Sequence, residues 1–258
     1  IAVDASGNVF VTGQFQATAD FAAGSMTSAG SYDIFLMKLS GANGSVNWKK
    51  SIGGTGIDMG NALALDGSGN ILLTGSFRGT VDFGGGAMAS TNPYNLPFLA
   101  RYSGLDGSYQ WAKRFGRMDG ALSTQGNAFG ISIDVSGNIA IAGTFGGPVD
   151  FGGGALTSGG GLDVFAAEYT SSGGYLWAKG FGDASDQQAY GLAFDHTGNV
   201  VLTGYFMGAI NFGGGVLPNT AAETVFLAKL SGASGAHIWS KSFIASSMYR
   251  GFGYSVAI

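Results

Sequence analysis

The sequence predicts an all-β chain built from the four-stranded antiparallel blades of a β-propeller, and three observations carry that prediction. Four tryptophans, Trp48, Trp111, Trp177 and Trp239, hold one place in a repeating unit, each followed two residues later by a lysine (Lys50, Lys113, Lys179, Lys241). Upstream of each lies a turn of the form Asp-x-Ser/Thr-Gly-Asn, at Asp4–Asn8, Asp66–Asn70, Asp134–Asn138 and Asp195–Asn199. From Asp to Trp the intervals are 44, 45, 43 and 44 residues, and between them lie apolar runs of strand length. A near-constant interval repeated four times marks four copies of one supersecondary unit.

The elements follow in order. A short run ends at each Asp: Ile1-Ala-Val3, Leu63-Ala-Leu65, Ile131-Ser-Ile133, Leu192-Ala-Phe194, and again Val256-Ala-Ile258. Large apolar residues alternate there with a small one, as in a strand pressed against a neighbour on one side. After the turn comes a continuous apolar run (Val9–Val11, Ile71–Leu73, Ile139–Ile141, Val200–Leu202), the mark of a strand covered on both faces. Each run meets a glycine (Gly13, Gly75, Gly143, Gly204) and then a phenylalanine (Phe15, Phe77, Phe145, Phe206). The third strand is Ile34–Lys38, Phe98–Arg101, Val164–Glu168 and Val225–Lys229, and the fourth carries the Trp. A four-stranded sheet with two buried faces, stepping at Asp-to-Asp intervals of 62, 68 and 61, fits a propeller blade. A two-sheet sandwich needs one polar face per strand, and a β-helix uses shorter units.

Composition agrees with a packed body. Charged residues make up 11% of the 258, against roughly 25% in an average soluble domain, while 45% are hydrophobic and 48 are glycine. The glycines sit at fixed phases, so they read as turns and close backbone contacts. A formal charge of −4 with dispersed Lys and Arg offers no footprint for nucleic acid. No apolar stretch is long enough for a helical membrane span, and strands apolar on both faces do not match a transmembrane barrel. Without cysteine there are neither disulfides nor thiolate metal ligands. The chain begins inside a repeat at Ile1 and stops where a fifth Asp turn would follow, which reads as a segment of a longer polypeptide.

The string Asp-x-Ser-Gly-Asn-Val-x-Val-Thr-Gly, then Val-Asp-Phe-Gly-Gly-Gly, then Asp-Ile-Phe-Leu-x-Lys-Leu, then Trp-x-Lys-x-Phe resembles the bacterial β-propeller repeat called SBBP. It runs from Asp4 to Trp48, Asp66 to Phe115, Asp134 to Phe181 and Asp195 to Phe243, nearly the whole chain. The resemblance implies a secreted or surface-displayed bacterial protein, with no enzymatic activity attached to the repeat. Two copies depart from it: Ala22-Ala23-Gly24 replaces the triple glycine, and Asn211 replaces the Asp before Phe212. The spacing Gly-x-x-x-Trp (Gly44, Gly107, Gly173 and Gly235 to their tryptophans) further resembles the tryptophan-docking motif of quinoprotein-type propellers, which implies an indole packed between neighbouring blades.

Several motifs carry rival chemistry. The Asp turns, with Asp4, Asp66, Asp134 and Asp195 as weak candidate ligands, alternate oxygen donors as a calcium loop does. Such a cation takes six to eight oxygens, however, and no bidentate acid follows at the right spacing. A hairpin turn, with Asp capping a backbone N–H and Gly left-handed, accounts for the motif better. Asp82-Phe-Gly84 and Asp150-Phe-Gly152 lack the rest of a kinase set, and the triple glycines open no helix, so a tight inserted hairpin is expected there. A periodic Trp could line repeated sugar sites, but large aromatics at constant strand phase are more often core. His196 and His237 sit in or beside turns, and the recurring acids are spread through the repeats, so no catalytic cluster is indicated.

The copies differ most in their loops, where a rigid scaffold carries recognition. The second repeat has a five-residue excess within 117–125 and an unusual connection at 90–97; the fourth is chemically distinctive at 246–250. A ligand-binding face containing Tyr94, Met118, Asp119, Tyr249 and Arg250 is therefore expected. The reading is a single propeller body over 1–258, with repeats at about 1–62, 63–130, 131–191 and 192–255 and a further one starting at 256–258; it is a small closed ring or, favoured by the duplicated first-strand motif, an arc of a larger one. Its expected role is a non-catalytic extracellular or cell-surface scaffold that binds protein or assembles at the surface, with no cofactor. The rivals are a lectin-like glycan-binding propeller and the repeat region of a larger secreted enzyme.

Overall fold

The computed structural model describes residues 1–90, 93–116, 125–219, 223–243 and 251–257. Among them there is no helix. The strands form four four-stranded antiparallel sheets and three two-stranded hairpins, a blade-like repeat consistent with a β-propeller. Each large sheet is a meander, its strands in sequence order. Blade 1 is Ala2–Val3, Val9–Phe15, Asp33–Leu39 and Val46–Ile52; blade 2 is Met59–Leu65, Ile71–Phe77, Leu96–Tyr102 and Tyr109–Arg114. Blade 3 is Gln125–Ile133, Ile139–Gly146, Asp163–Tyr169 and Tyr175–Phe181; blade 4 is Gln187–Phe194, Val200–Phe206, Thr224–Leu230 and His237–Phe243.

The repeat of the sequence is a repeat of register. The second strand pairs with the third through Val9 with Leu39, Ile71 with Tyr102, Ile139 with Tyr169, and Val200 with Leu230. The continuous apolar runs are buried throughout in blades 2, 3 and 4, because each is covered on both faces. First strands reach further upstream than the apolar pattern shows, since a bulge interrupts their alternation at Gly60/Ala62, Ala128/Gly130 and Ala189/Gly191. That bulge explains the glycine after each buried run. A Cβ on Gly75, Gly143 or Gly204 would stand 1.8–1.9 Å from the carbonyl oxygen of Met59, Asn127 or Gln188.

The chain forms two compact units, one holding blades 1 and 2 and the other blades 3 and 4. In the first, Phe10, Ile34 and Leu36 join Leu63, Leu73, Phe77 and Phe98 in one core. In the second, Ala140, Val164 and Ala166 join Leu202, Phe206 and Phe226. The first strand of blade 2 lies against blade 1 closely enough that a Cβ on Gly60 would meet Thr12 Oγ1 at 2.4 Å. Residues 251–257 lie against blade 4 in the same way, without strand pairing: a Cβ on Gly253 would meet Thr203 Oγ1 at 2.2 Å.

The inserted hairpins appear as Thr18–Asp20 with Ser25–Thr27, Thr80–Asp82 with Ala87–Ala89, and Pro148–Asp150 with Ala155–Thr157; in blade 4 a single bridge, Asn211 to Val216, remains. The Asp-Phe-Gly motifs are thereby explained. Asp82 and Asp150 each accept two glycine N–H groups of their own turn, and Asn211 does the same with its amide oxygen. The following Phe plugs the blade, Phe83 lying 4.7 Å from Phe98 and Phe151 4.4 Å from Phe165, ring to ring. In blade 1 the turn is Ala22-Ala23-Gly24, and Ala22 takes φ 64, where its Cβ is strained. The aromatic that packs over the glycines elsewhere (Tyr109, Tyr175) is replaced at this register by Val46.

Two substitutions test these contacts by urea denaturation. Ala22→Gly is expected to raise the midpoint, at unchanged slope, by an amount equivalent to about 0.5–1 kcal/mol, the strain relieved less the added freedom of the unfolded chain. Gly75→Ala is expected to destabilise by about 1–3 kcal/mol, because the Met59 carbonyl must move.

Candidate functional site

The Asp turns are self-contained caps. Asp4 Oδ1 accepts the N–H groups of Ser6 and Asn8 at 2.9 and 2.8 Å, and Oδ2 accepts Asn8 Nδ2 at 2.9 Å. Asp66, Asp134 and Asp195 repeat this set with Ser68 and Asn70, Ser136 and Asn138, and Thr197 and Asn199. Gly7, Gly69, Gly137 and Gly198 take φ between 76 and 85, the left-handed position of the turn. Among the described residues no three His, Asp or Glu side chains converge as metal ligands.

Opposite each Trp, on the third strand, stands a charged residue: Lys38 faces Trp48, Arg101 faces Trp111, Glu168 faces Trp177, and Lys229 faces Trp239. In three blades this residue is basic and reaches its own turn. Lys38 Nζ lies 3.8 Å from Asp4, Arg101 pairs with Asp66, and Lys229 Nζ is 2.5 Å from Asp195. The side-chain donation of Asn8 to Asp4 and of Lys229 to Asp195 holds both carboxyls below the usual carboxylate range.

Blade 3 inverts the sign. Glu168 is 2% exposed, and beside it stands Asp134, which has no basic partner among the described residues. Burial first, and the Asp134 charge second, push the Glu168 carboxyl up to about 7, against one hydrogen bond from Trp177 Nε1 at 3.1 Å. A cavity of about 440 Å³ opens here within the second unit, lined among others by Asp134, Val135, Glu168, Leu176, His196 and Gly232.

Within each unit one tryptophan, Trp48 or Trp177, touches the neighbouring blade at the glycine of that blade's own Gly-x-x-x-Trp segment. A Cβ on Gly107 would stand 3.1 Å from the Trp48 ring, and one on Gly235 2.6 Å from the Trp177 ring. Trp177 is 5% exposed, and Trp48, Trp111 and Trp239 are half-buried. Where Lys38 Nζ donates to Gly104 O at 2.9 Å, the Trp48 Nε1 has no acceptor among the described residues. At the matching place in the second unit, Trp177 Nε1 itself donates to Gly232 O at 2.6 Å and to Glu168. At equivalent carbonyls, the donor is thus an ammonium in one unit and an indole in the other.

Of the loop residues expected to form a binding face, Tyr94 is 46% exposed on blade 2, and Met118, Asp119, Tyr249 and Arg250 lie outside the described residues. His196 lines the blade 3 cavity; His237 packs over Gly213 and Gly214. The sequence reading passed over Glu168. The signal was present: in the aligned third strands the sixth position reads Lys, Arg, Glu, Lys.

No family model matches the chain. A WD repeat-containing protein of Acanthamoeba polyphaga mimivirus, itself uncharacterized, is 28% identical over 216 residues, covering 70% of this chain. The chain corresponds to 15% of that protein's length. The likeness supports a β-propeller-like repeat.

The Glu168 environment predicts a pH signature. A carboxyl raised in the folded state from 4.5 to about 7 adds stability that is complete below 4.5 and is lost as pH rises to about 7. Asp58 and Asp163 are also raised by burial, so the comparison with Glu168→Gln isolates the effect. Wild type is expected to lose stability relative to Glu168→Gln across pH 4.5–7 and to run parallel to it above, read from thermal or urea unfolding.

Proposed function

We propose that this chain is a non-catalytic repeat scaffold whose blades present loops and turn-lined cavities to protein partners. The observation that carries the reading is how the recurring polar groups are spent. The turn aspartates cap their own backbone N–H groups, three of them bind a basic residue of the same blade, and the indoles of Trp48 and Trp177 pack on the next blade's glycine. What varies between copies is left to recognise something else. The WD repeat-containing relative is consistent with such a propeller. A secreted or surface-displayed bacterial setting, and assembly into a surface structure, rest on the resemblance to the SBBP repeat.

The glycan reading draws on the same tryptophans, yet Trp48 and Trp177 already have a ring face against Gly107 and Gly235, which leaves less surface for a sugar to stack on. The test is affinity capture from the native source, followed by titration of each purified candidate against this chain. A saturable protein complex together with a blank glycan array is the expected outcome. Saturable binding of a glycan with no protein complex would replace this reading with the lectin one.

A further inference from the structure

We propose that the blade 3 cavity is a binding site for an organic cation carried on an aliphatic stem, namely the lysine or arginine side chain of a partner polypeptide. The inference deepens the protein-binding reading and rests on it for the identity of the partner.

Three observations lead there. The first is a missing charge. In blades 1, 2 and 4 the turn aspartate receives a cation from the third strand, Lys38, Arg101 or Lys229. In blade 3 the same register position holds Glu168, so the place occupied elsewhere by a positive group faces two carboxyls, Asp134 and Glu168. The second is an incompletely satisfied buried acid. Glu168 is 98% withdrawn from solvent, and among the described residues only Trp177 donates a hydrogen bond to it. A buried carboxylate is stable when charge-assisted donors meet both oxygens, and one indole N–H does not achieve that. The third is room. The cavity of about 440 Å³ is bounded by both acids and by Val135 and Leu176, which are 98% and 43% exposed.

The lining selects among cations. An exposed valine and leucine over an acidic floor match a hydrocarbon stem with a charged head, the shape of a lysine or arginine side chain. A bare divalent ion would want six or more oxygens, and no three acidic or histidine ligands converge here among the described residues. Blade 1 shows the geometry internally: the Lys38 ammonium lies over the Phe10 ring, 4.9 Å from the ring centre, and donates to the Gly104 carbonyl beside Asp4. His196, from the blade 4 turn, also lines the cavity, and measurements belong above pH 7, where Glu168 carries its charge.

The experiment uses the full chain and small probes, n-butylammonium and n-butylguanidinium, with n-butanol as the neutral analogue. The readout is the indole N–H resonance of Trp177, whose donor touches Glu168. Either cation is expected to shift that resonance saturably, leaving the indole signals of Trp48, Trp111 and Trp239 in place, while n-butanol produces no saturable shift. Glu168→Lys restores the residue type of the other blades and is expected to weaken cation binding at least about tenfold, the loss of one charge-assisted contact. Glu168→Gln, which keeps the shape, is expected to weaken it as much and serves if the lysine variant does not fold. Equal response to n-butanol, undiminished binding in Glu168→Gln, or saturation by calcium in place of the organic cations would overturn the proposal. Saturable cation binding combined with an affinity capture that yields no protein partner would overturn the scaffold reading and leave the pocket standing.

Discussion

A sheet that is apolar on both faces is stable only with another sheet against it, and here the approach of two blades is set by an indole meeting a glycine. Trp48 reaches Gly107 and Trp177 reaches Gly235, each at the turn before the neighbour's own tryptophan. A side chain at either glycine would hold the blades apart, exposing part of cores that include Ile34, Phe77 and Phe98 in one unit and Val164, Phe206 and Phe226 in the other. Burial of the flat, large indole supplies area, and the absence of a Cβ supplies proximity. The bulge in the first strands of blades 2, 3 and 4 and the glycine beneath it answer the same demand at the other edge of the sheet.

Around that contact the polar groups arrange themselves by competition for few acceptors. The carbonyl of Gly104 takes the ammonium of Lys38, and the Trp48 N–H goes without. The carbonyl of Gly232 takes the Trp177 N–H, since blade 3 has no third-strand ammonium to compete for it, and Glu168 accepts from the same indole. One residue exchange, basic to acidic, therefore redirects an indole, leaves a turn aspartate without its cation, and gives the second unit a cavity with a negative floor. The repeat is structurally conservative and electrostatically uneven.

The fold was largely legible because its signals are local. Asp4, Asp66, Asp134 and Asp195 each write a complete turn within five residues, and the apolar runs after them bury as continuous runs should. The Asp-Phe-Gly segments resolved as capped hairpins for the same reason, every bond lying within four residues. The upstream halves of the first strands, such as Met59–Asn61 and Gln125–Asn127, were not legible, since a bulge breaks the alternation on which strand reading depends. The site was harder still. Glu168 lies 34 residues from Asp134 in the chain, and nothing in either segment alone says that they share a cavity.

The sequence by itself determined four copies of a hairpin-linked, four-stranded unit, because turn caps, strand phase and aromatic spacing are each set within one repeat. Only the tertiary structure decided which neighbour Trp48 and Trp177 meet, which aspartate keeps a cation, and where a buried acid faces open space. Those outcomes depend on distances between strands far apart in the chain, some in one repeat and some in two, and a carboxyl's charge state follows from the groups and water around it, not from its place in the chain.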